Sequence, residues 1–95
     1  MYYLYILQSE RTGVYYVGQS NDVARRLEEH NSKSEMKFTN RHLPWKLLAQ
    51  YAIGDDRSLA LKVEHHIKKQ KSRKYIDELI ERGTIDKIVE RYVNP

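Results

Sequence analysis

Residues 3–30 decide the fold of this chain, and their sequence is YLYILQSERTGVYYVGQSNDVARRLEEH. A first apolar and aromatic run is followed by Thr12-Gly13, which is a turn signal, and then by a second run, Val14 to Val17, that is rich in β-branched and aromatic residues. Two such runs around a turn predict a β-hairpin. Because successive side chains of a strand alternate between its two faces, Leu4 and Ile6 are expected on one face of the first strand.

The opposite face of the hairpin is expected to carry tyrosines. By the same alternation, Tyr3, Tyr5 and Leu7 share that face of the first strand. Tyr5 and Tyr16 are then expected to lie near one another across the strand pair. Gly18 is expected to end the second strand, at a point where the backbone turns or approaches another group closely.

A helix is predicted directly after the hairpin. Asn21 or Asp22 can cap its N-terminus, and Val23 and Leu27 form a short apolar stripe along it. The later elements are a third strand over Leu47–Ile53, a helix over Ser58–Gln70 capped by Asp56 or Ser58, a helix that Ser72 caps and Gly83 ends, and a last helix that starts at Thr84. The predicted fold class is α/β of the α+β kind, with a small three-stranded, mainly antiparallel sheet flanked by helices.

Residues 31–45, written NSKSEMKFTNRHLPW, are predicted to form a long ordered loop because they combine turn formers, scattered cations and a proline. Two interpretations stay open. The loop is either solvated and pinned by Phe38 and Trp45 in the core, or it forms a phosphate path with Phe38 as a stacking platform. The cations of such a path would be Lys33, Lys37, Arg41 and His42.

The composition is that of a globular chain. Ninety-five residues, of which 40% are hydrophobic and 32% charged, predict a single domain over residues 1–95. The absence of cysteine excludes a disulfide framework, a thiolate zinc site and a cysteine nucleophile. No apolar run approaches the length of a membrane span and the start, MYYLYIL, is unlike a secretory leader, so we expect a cytoplasmic protein. The net charge of +4 suits a polyanion partner without requiring one.

The hairpin and the first helix follow the pattern of a known superfamily. The tripeptides YLY at residues 3–5 and YVG at residues 16–18 place two tyrosines eleven residues apart, and Arg26 follows the glycine by eight residues with His30 one helical turn further on. From residue 3 to about residue 75 the chain resembles the GIY-YIG nucleases, most of all their small stand-alone bacterial members. It is similar in this to the nuclease domains of homing endonucleases and of the incising subunit of excision repair. Tyr3 stands where the family usually has glycine, so the backbone there must accept a Cβ atom.

This resemblance implies a metal-dependent endonuclease that hydrolyses phosphodiester bonds in DNA, structured or damaged DNA included, with little sequence specificity of its own. It also implies that Glu64, which matches by its position on the helix after the third strand, holds one divalent cation, Mg²⁺ or alternatively Mn²⁺. The residues alone favour a different role for Glu64, that of an exposed helical acid pairing with Lys68 at i,i+4.

The resemblance assigns activation of the attacking water to a tyrosine. We expect Tyr5 to be the general base and Tyr16 to orient water or phosphate, while Arg26 offers a planar fork of donors to phosphate oxygens. A free phenol has a pKa of about 10, so for Tyr5 or Tyr16 to act as a base near neutral pH its pKa must be lowered by Arg26, by the cation or by nearby lysines. For His30, three roles stay open: proton shuttle, phosphate contact, or the base itself.

Other aromatic residues and histidines are expected to be structural. His65 and His66 point about 100° apart on a helix, which favours two surface side chains over a zinc site. The tyrosines assigned to packing are Tyr2, Tyr3, Tyr15, Tyr51, Tyr75 and Tyr92.

The segment Lys68 to Lys74, KKQKSRK, carries five cations and no acid, and it is either a solvated helix end or a phosphate anchor that does not read bases. DNA is the expected partner, RNA is not excluded, and the oligomeric state stays open. An alternative function is a nucleic-acid-binding module that keeps the nuclease fold without catalysis. The residues expected to contact nucleic acid are Arg25, Lys33, Lys37, Arg41, Lys68, Lys69, Lys71, Arg73 and Lys74.

Overall fold

A three-stranded antiparallel sheet and five helices make up the part of the chain that the computed structural model describes, residues 1–32 and 37–93, with only the backbone of Lys37 and Phe38 included. The elements are β1 (Tyr2–Ser9), β2 (Tyr15–Ser20), α1 (Val23–Asn31), α2 (Lys37–Arg41), β3 (Trp45–Gly54), α3 (Arg57–Lys68), α4 (Arg73–Arg82) and α5 (Asp86–Val93). The strand order is β2-β1-β3, and both pairings are antiparallel. The predicted α+β fold class is confirmed.

Strand β1 is buried on both faces, because helices cover both sides of the sheet. Leu4 and Ile6 pack with Val63 of α3 and with residues of α4 and α5 in one core cluster. Tyr5 and Leu7 pack in a second cluster, which includes residues of α1. The alternation predicted for the first strand is therefore confirmed, and it places the two clusters on opposite faces of the sheet.

Short polar side chains begin the helices as the sequence predicted. The Asp22 carboxylate accepts a hydrogen bond from the Arg25 amide at 3.1 Å, and the Asp56 carboxylate accepts one from the Ser58 amide at 2.9 Å. The Ser72 hydroxyl accepts one from the amide of residue 75 at 3.1 Å and starts α4. Each cap satisfies an amide that has no partner within its helix.

The segment 31–45 is not the long loop that its composition predicted, because it contains the short helix α2. Trp45 is buried at 3% exposure, as one interpretation required, and its indole Nε1 donates to the Thr39 carbonyl at 3.1 Å. The Asn31 side chain holds the Trp45 backbone from both sides, accepting from its amide at 2.6 Å and donating to its carbonyl at 2.9 Å. The side chain of Phe38 lies outside the described part, so its two interpretations stay predictions.

The bounds of four predicted elements differ from the structure. Gly18 does not end the second strand, since β2 continues to Ser20. Strand β3 is longer than predicted at both ends, and α3 ends two residues earlier, at Lys68. Helix α5 starts at Asp86 because the Thr84 hydroxyl accepts a hydrogen bond from the Asp86 amide at 3.1 Å and so lies outside the helix. None of the helices in residues 1–32 and 37–93 is long and apolar enough to cross a membrane.

Candidate active site

A cavity of about 420 Å³ lies beside β2, which is an edge strand of the sheet. Residues from both faces of the sheet line it. Helix α1 contributes arginines to it from one face, and α3 contributes an arginine and a glutamate from the other. The wall of the cavity is formed by Tyr2, Tyr5, Tyr16, Gly18, Gln19, Ser20, Asn21, Arg25, Arg26, Arg57 and Glu64.

The two tyrosines of the sequence pattern face this cavity together. Strand register pairs Tyr5 with Gly18 and Leu7 with Tyr16, so the tyrosines are diagonal neighbours on one face, with ring centroids 6.5 Å apart. Gly18 leaves room for the Tyr5 ring, because a Cβ atom at Gly18 would lie 2.5 Å from Tyr5 Cζ and 2.5 Å from Tyr5 Oη. The close approach predicted for Gly18 is therefore an approach by the phenol itself.

Gly18→Ala is expected to destabilise the protein by about 1–3 kcal/mol, because the buried Tyr5 ring has to move for the new methyl group. Urea unfolding measures this cost. The same substitution made in a Tyr5→Leu background should cost much less, since the colliding ring tip is gone. Equal costs in the two backgrounds would contradict the proposed contact.

The Tyr5 hydroxyl forms a hydrogen bond with His30 Nε2 at 3.2 Å. The Arg26 guanidinium lies near enough to the phenol to act on its pKa. Burial raises the pKa of the Tyr5 phenol, and this effect outweighs the opposite effect of Arg26. Arg26 lowers the pKa of the phenol as expected, but by less than burial raises it, and the effect of a bound cation stays a prediction.

His30 lies behind the two tyrosines. Its ring centroid is 4.5 Å from that of Tyr16, and only 3% of the residue is exposed. Burial lowers the pKa of His30, and the positive charge of Arg26 acts in the same direction, so the imidazole is neutral at pH 7. His30 is not among the described residues that line the cavity, and its three possible roles stay predictions.

Glu29, which the sequence analysis did not single out, holds both arginines of α1. Its carboxylate accepts from Arg25 Nη1 at 2.6 Å and from Arg26 Nη1 at 2.8 Å. The hydrogen bond from Arg26 lowers the pKa of Glu29, so this carboxylate stays charged. Glu29 follows Arg25 by four residues and Arg26 by three. Both spacings place side chains next to one another on a helix, so the two pairs could have been predicted from the sequence.

Glu64 forms the predicted helical pair and also lies in the wall of the cavity. Its carboxylate accepts a hydrogen bond from Lys68 Nζ at 3.4 Å, which is the predicted helical pair. Glu64 also faces the cavity, and its side chain is only 22% exposed. Lys68 Nζ lies 5.4 Å from the centroid of the Tyr16 ring, so the pair borders the tyrosines.

The donor groups of the cavity fit a weakly held, hard divalent cation. No cluster of three or more histidines or carboxylates able to enclose a metal occurs within the described ranges. Glu64 is the one carboxylate among the described wall residues. A single carboxylate completed by water and substrate phosphate is a usual way for proteins to bind Mg²⁺. The site thus suits a cation that is bound together with a nucleic acid.

The predicted phosphate-binding residues differ in how they lie relative to the cavity. Arg25 lies in the cavity wall and Lys68 at its border, while Lys69, Lys71 and Lys74 are exposed beyond the end of α3. Arg73 is already engaged, since its Nη1 donates to the Gly13 carbonyl at 2.8 Å and its guanidinium lies 4.4 Å from the centroid of the Tyr15 ring. Arg41 is exposed at the end of α2. Lys33 and the side chain of Lys37 lie outside the described part of the chain.

Several structural assignments of aromatic residues need correction. Tyr2 was expected to be a packing residue only, but it lines the cavity. The Tyr15 hydroxyl donates to the Asp77 carboxylate and ties the hairpin to α4. His65 is exposed as predicted, whereas His66 is half-buried, with its Nδ1 2.8 Å from the Tyr92 hydroxyl.

The sequence analysis also left four polar residues of the cavity wall out of the site, which are Gln19, Ser20, Asn21 and Arg57. Arg57 lies two helical turns before Glu64, hence on the same face of α3, and this spacing was an available signal. Gln19 lies on β2, next to the glycine of the YVG tripeptide, and nothing in its immediate sequence marks it. Arg57 meets the tyrosines only because α3 packs against the sheet.

The site defines the class of this protein. It combines tyrosines on a hairpin, an arginine on the next helix and a glutamate on the helix after the third strand. The model of the GIY-YIG catalytic domain matches residues 1–76. The chain therefore belongs to the GIY-YIG family, as the resemblance of its sequence indicated. The family implies a nuclease-type domain with a nucleic acid as substrate, and GIY-YIG nucleases generally use divalent metal ions.

Within this family, the chain is similar to small proteins named UPF0213. It is 36% identical over 83 residues to a UPF0213 protein of Haloquadratum walsbyi, covering 87% of this chain and 90% of that protein. It is 40% identical over 70 residues to one of Streptococcus pneumoniae serotype 4, covering 73% and 68%. The solution NMR structure of a UPF0213 protein from Bacillus halodurans matches with a TM-score of 0.52 at 32% identity, covering 85% of this chain and 84% of that one.

Proposed function

We propose that this protein is a metal-dependent endonuclease that hydrolyses phosphodiester bonds in DNA, structured or damaged DNA included, with little sequence preference of its own. One observation carries the proposal. A single cavity brings together Tyr5 from β1, Tyr16 from β2, Arg26 from α1 and Glu64 from α3. These groups supply what phosphodiester hydrolysis requires: a route for the proton of the attacking water, donors for phosphate oxygens and a ligand for a cation.

Glu64 would hold the cation, which we propose to be Mg²⁺, with Mn²⁺ as the alternative. When bound, such a cation neutralises charge on the scissile phosphate and on the leaving oxygen. The carboxylate exchanges its hydrogen bond with Lys68 for this role. Lys68, which stays at the border of the cavity, is then free to contact a neighbouring phosphate.

Tyr5 is placed to accept the proton of the attacking water. In the tautomer that leaves His30 Nε2 unprotonated, the Tyr5 hydroxyl donates to it across 3.2 Å, and the lone pairs of the phenol oxygen can accept from a water in the cavity. As the water loses its proton to Tyr5, Tyr5 passes its own proton to the neutral imidazole of His30. This relay needs no phenolate in the resting protein, which is consistent with the raised pKa of the phenol.

Arg26 and Tyr16 complete the binding of the scissile phosphate. Glu29 fixes one side of the Arg26 guanidinium, and the rest of this planar group can donate to phosphate oxygens from the cavity wall. Tyr16 lies beside Tyr5 on the same wall and orients the water or the phosphate. Arg25 contributes further positive charge to the wall of the cavity.

Binding to nucleic acid should be strongly salt-dependent, because Arg25, Lys68 and the exposed lysines after α3 offer phosphate contacts without a base-reading element. If about five phosphates are neutralised, log K against log salt should have a slope of roughly −4 to −5 on duplex DNA. Fluorescence anisotropy at several salt concentrations measures this slope. A flat response would indicate that the basic surface binds protein partners instead.

The experiment that tests the proposal is cleavage of plasmid, single-stranded, flap and junction DNA with Mg²⁺ or Mn²⁺, beside a Glu64→Ala control. An RNA hairpin belongs in the same panel, because phosphate contacts do not exclude RNA. Glu64-dependent cleavage of any of these substrates would support the enzyme, and the pattern would give its preference. Binding without cleavage would favour the alternative, a non-catalytic nucleic-acid-binding module, which the Glu64–Lys68 pair of the resting protein is consistent with. That residues 1–95 form one domain acting in the cytoplasm stays a prediction from the sequence.

A further inference from the structure

Arg57 is a charged residue of the cavity wall that nothing in the proposed reaction uses. The residue is exposed, and none of the described residues forms a hydrogen bond or an ion pair with its guanidinium. The two carboxylates that precede it in the chain are engaged elsewhere. Asp55 pairs with the N-terminal ammonium group at 2.9 Å, and Asp56 accepts from the Ser58 amide at 2.9 Å. The guanidinium is therefore available to a ligand in the cavity.

The position of Arg57 does not favour the stability of its helix. Arg57 is the first residue of α3, and the first turn of α3 contains no acidic residue. The N-terminus of a helix carries a partial positive charge, so an acid is favourable there and a cation is not. A residue that opposes local stability in the wall of a polar cavity indicates a functional reason for its presence.

The charge of the wall indicates an anionic ligand. Among the described residues, the wall holds three arginines, which are Arg25, Arg26 and Arg57, and one carboxylate, that of Glu64. Glu29 neutralises only part of this charge, because the two arginines of α1 share its single carboxylate. With a divalent cation at Glu64, the positive charge exceeds the single negative charge of one phosphodiester. Guanidinium groups bind phosphate oxygens through paired donors, so a second phosphate is the ligand that fits Arg57.

Helix α3 arranges three charged side chains in a line. At about 100° per residue, Glu64 and Lys68 each lie within about 20° of Arg57 around the helix axis, so the three share one face. Along the axis, Arg57 lies about 10 Å before Glu64, and Lys68 lies about 6 Å after it. The proposed cation ligand therefore has a positively charged residue on each side.

We propose that one strand of the nucleic acid lies along α3, with Arg57 binding a phosphate on the side of the scissile phosphate that is opposite to Lys68. This inference rests on the proposed function, because it places the scissile phosphate at Glu64. Arg57 is then a binding residue that positions the strand and takes no part in bond breaking. It also restricts the substrate, since the strand must extend past the cleaved bond on the Arg57 side and carry a phosphate there.

Arg57→Ala should weaken binding without weakening the fold. The loss of one charged contact should lower the affinity for single-stranded DNA about tenfold and make the slope of log K against log salt less steep by about 0.7. KM should rise while kcat stays close to that of the parent, because the contact is the same in the ground state and the transition state. The midpoint of urea unfolding should stay the same or rise. Arg57→Lys keeps the charge and should restore the salt slope.

The test combines fluorescence anisotropy of the full-length protein with a single-stranded oligonucleotide, without divalent cation, with cleavage kinetics and urea unfolding of each variant. Lys62→Ala removes the same charge from an exposed position of α3 outside the cavity wall, and this matched control should bind as the parent does. Oligonucleotides in which one phosphate at a time is replaced by an uncharged methylphosphonate locate the contact. Replacement at one position on the Arg57 side should raise the KM of the parent but not that of Arg57→Ala.

The outcomes separate two failures. If the parent cleaves in a Glu64-dependent manner but Arg57→Ala keeps its affinity, salt slope and KM, the inference about Arg57 is overturned and the proposed function stands. Equal losses in Arg57→Ala and Lys62→Ala would also overturn it, because only net charge would then matter. If the parent binds DNA through Arg57 and not through Lys62 but cleaves no substrate, the phosphate contact is supported while the proposed reaction fails.

Discussion

Glu64→Gln is expected to abolish cleavage and cation binding while leaving the fold intact. The substitution keeps the shape of the side chain but removes the charge on which a hard cation depends. Stability should change by less than about 0.5 kcal/mol, because the hydrogen bond with Lys68 is an i,i+4 pair at the helix surface and such pairs contribute little. Cleavage under limiting Mg²⁺, Mn²⁺ titration and urea unfolding together measure the three quantities.

A matched control for this substitution exists on α4. Glu78 is also a helical acid paired with a lysine four residues away, with Lys74 Nζ 4.0 Å from its carboxylate, and it lies outside the cavity. Glu78→Gln should therefore keep the cleavage rate of the parent. A Glu64→Gln protein that cuts DNA as fast as the parent would remove Glu64 from the site and leave the surface pair with Lys68 as its whole role.

The parts of the fold that were predictable from sequence are those decided by neighbouring residues. The alternation around Leu4 and Tyr5, the cap at Ser72 and the glycine that ends α4 each depend on contacts within a few positions. Helix α2 was missed for a tertiary reason. The Trp45 indole donates to the Thr39 carbonyl, and Trp45 is held in place by burial against Tyr5 and Leu7, which residues 31–45 do not encode.

The residues of the candidate site also divide into those that the local sequence predicted and those that it did not. The spacing of Tyr5, Tyr16 and Arg26 predicted their meeting, because hairpin register and helix geometry link them through the local chain. Arg57 belongs to the cavity only because α3 packs against the sheet, and no local pattern encodes that contact. The direction in which the pKa of Tyr5 is shifted could not be predicted from the sequence either. Burial raises this pKa and Arg26 lowers it, and which effect is larger depends on the three-dimensional structure.

Tyr5→Phe is expected to lower the cleavage rate by roughly two to four orders of magnitude, the usual contribution of a general base. The ring that packs over Gly18 is retained, so the fold should persist, and neither Glu64 nor the basic surface is changed. Cation binding and DNA binding should therefore stay close to those of the parent. Tyr51→Phe, at a half-buried tyrosine of β3 outside the cavity, is the matched control and should cleave at the parent rate.

The pH dependence of the parent enzyme distinguishes the two ways in which Tyr5 can act. If Tyr5 passes its proton to His30, the rate requires a neutral imidazole; it should rise through the pKa of His30, which burial lowers below its ordinary value of about 6.5, and then stay level. If Tyr5 acts as a preformed phenolate, the rate should climb about tenfold per pH unit to beyond about pH 10, because burial raises the pKa of the phenol. Single-turnover cleavage rates of the parent and of Tyr5→Phe across this range measure both profiles. A continuous climb would exclude the relay through His30, and a Tyr5→Phe protein with the rate and profile of the parent would exclude Tyr5 as the base.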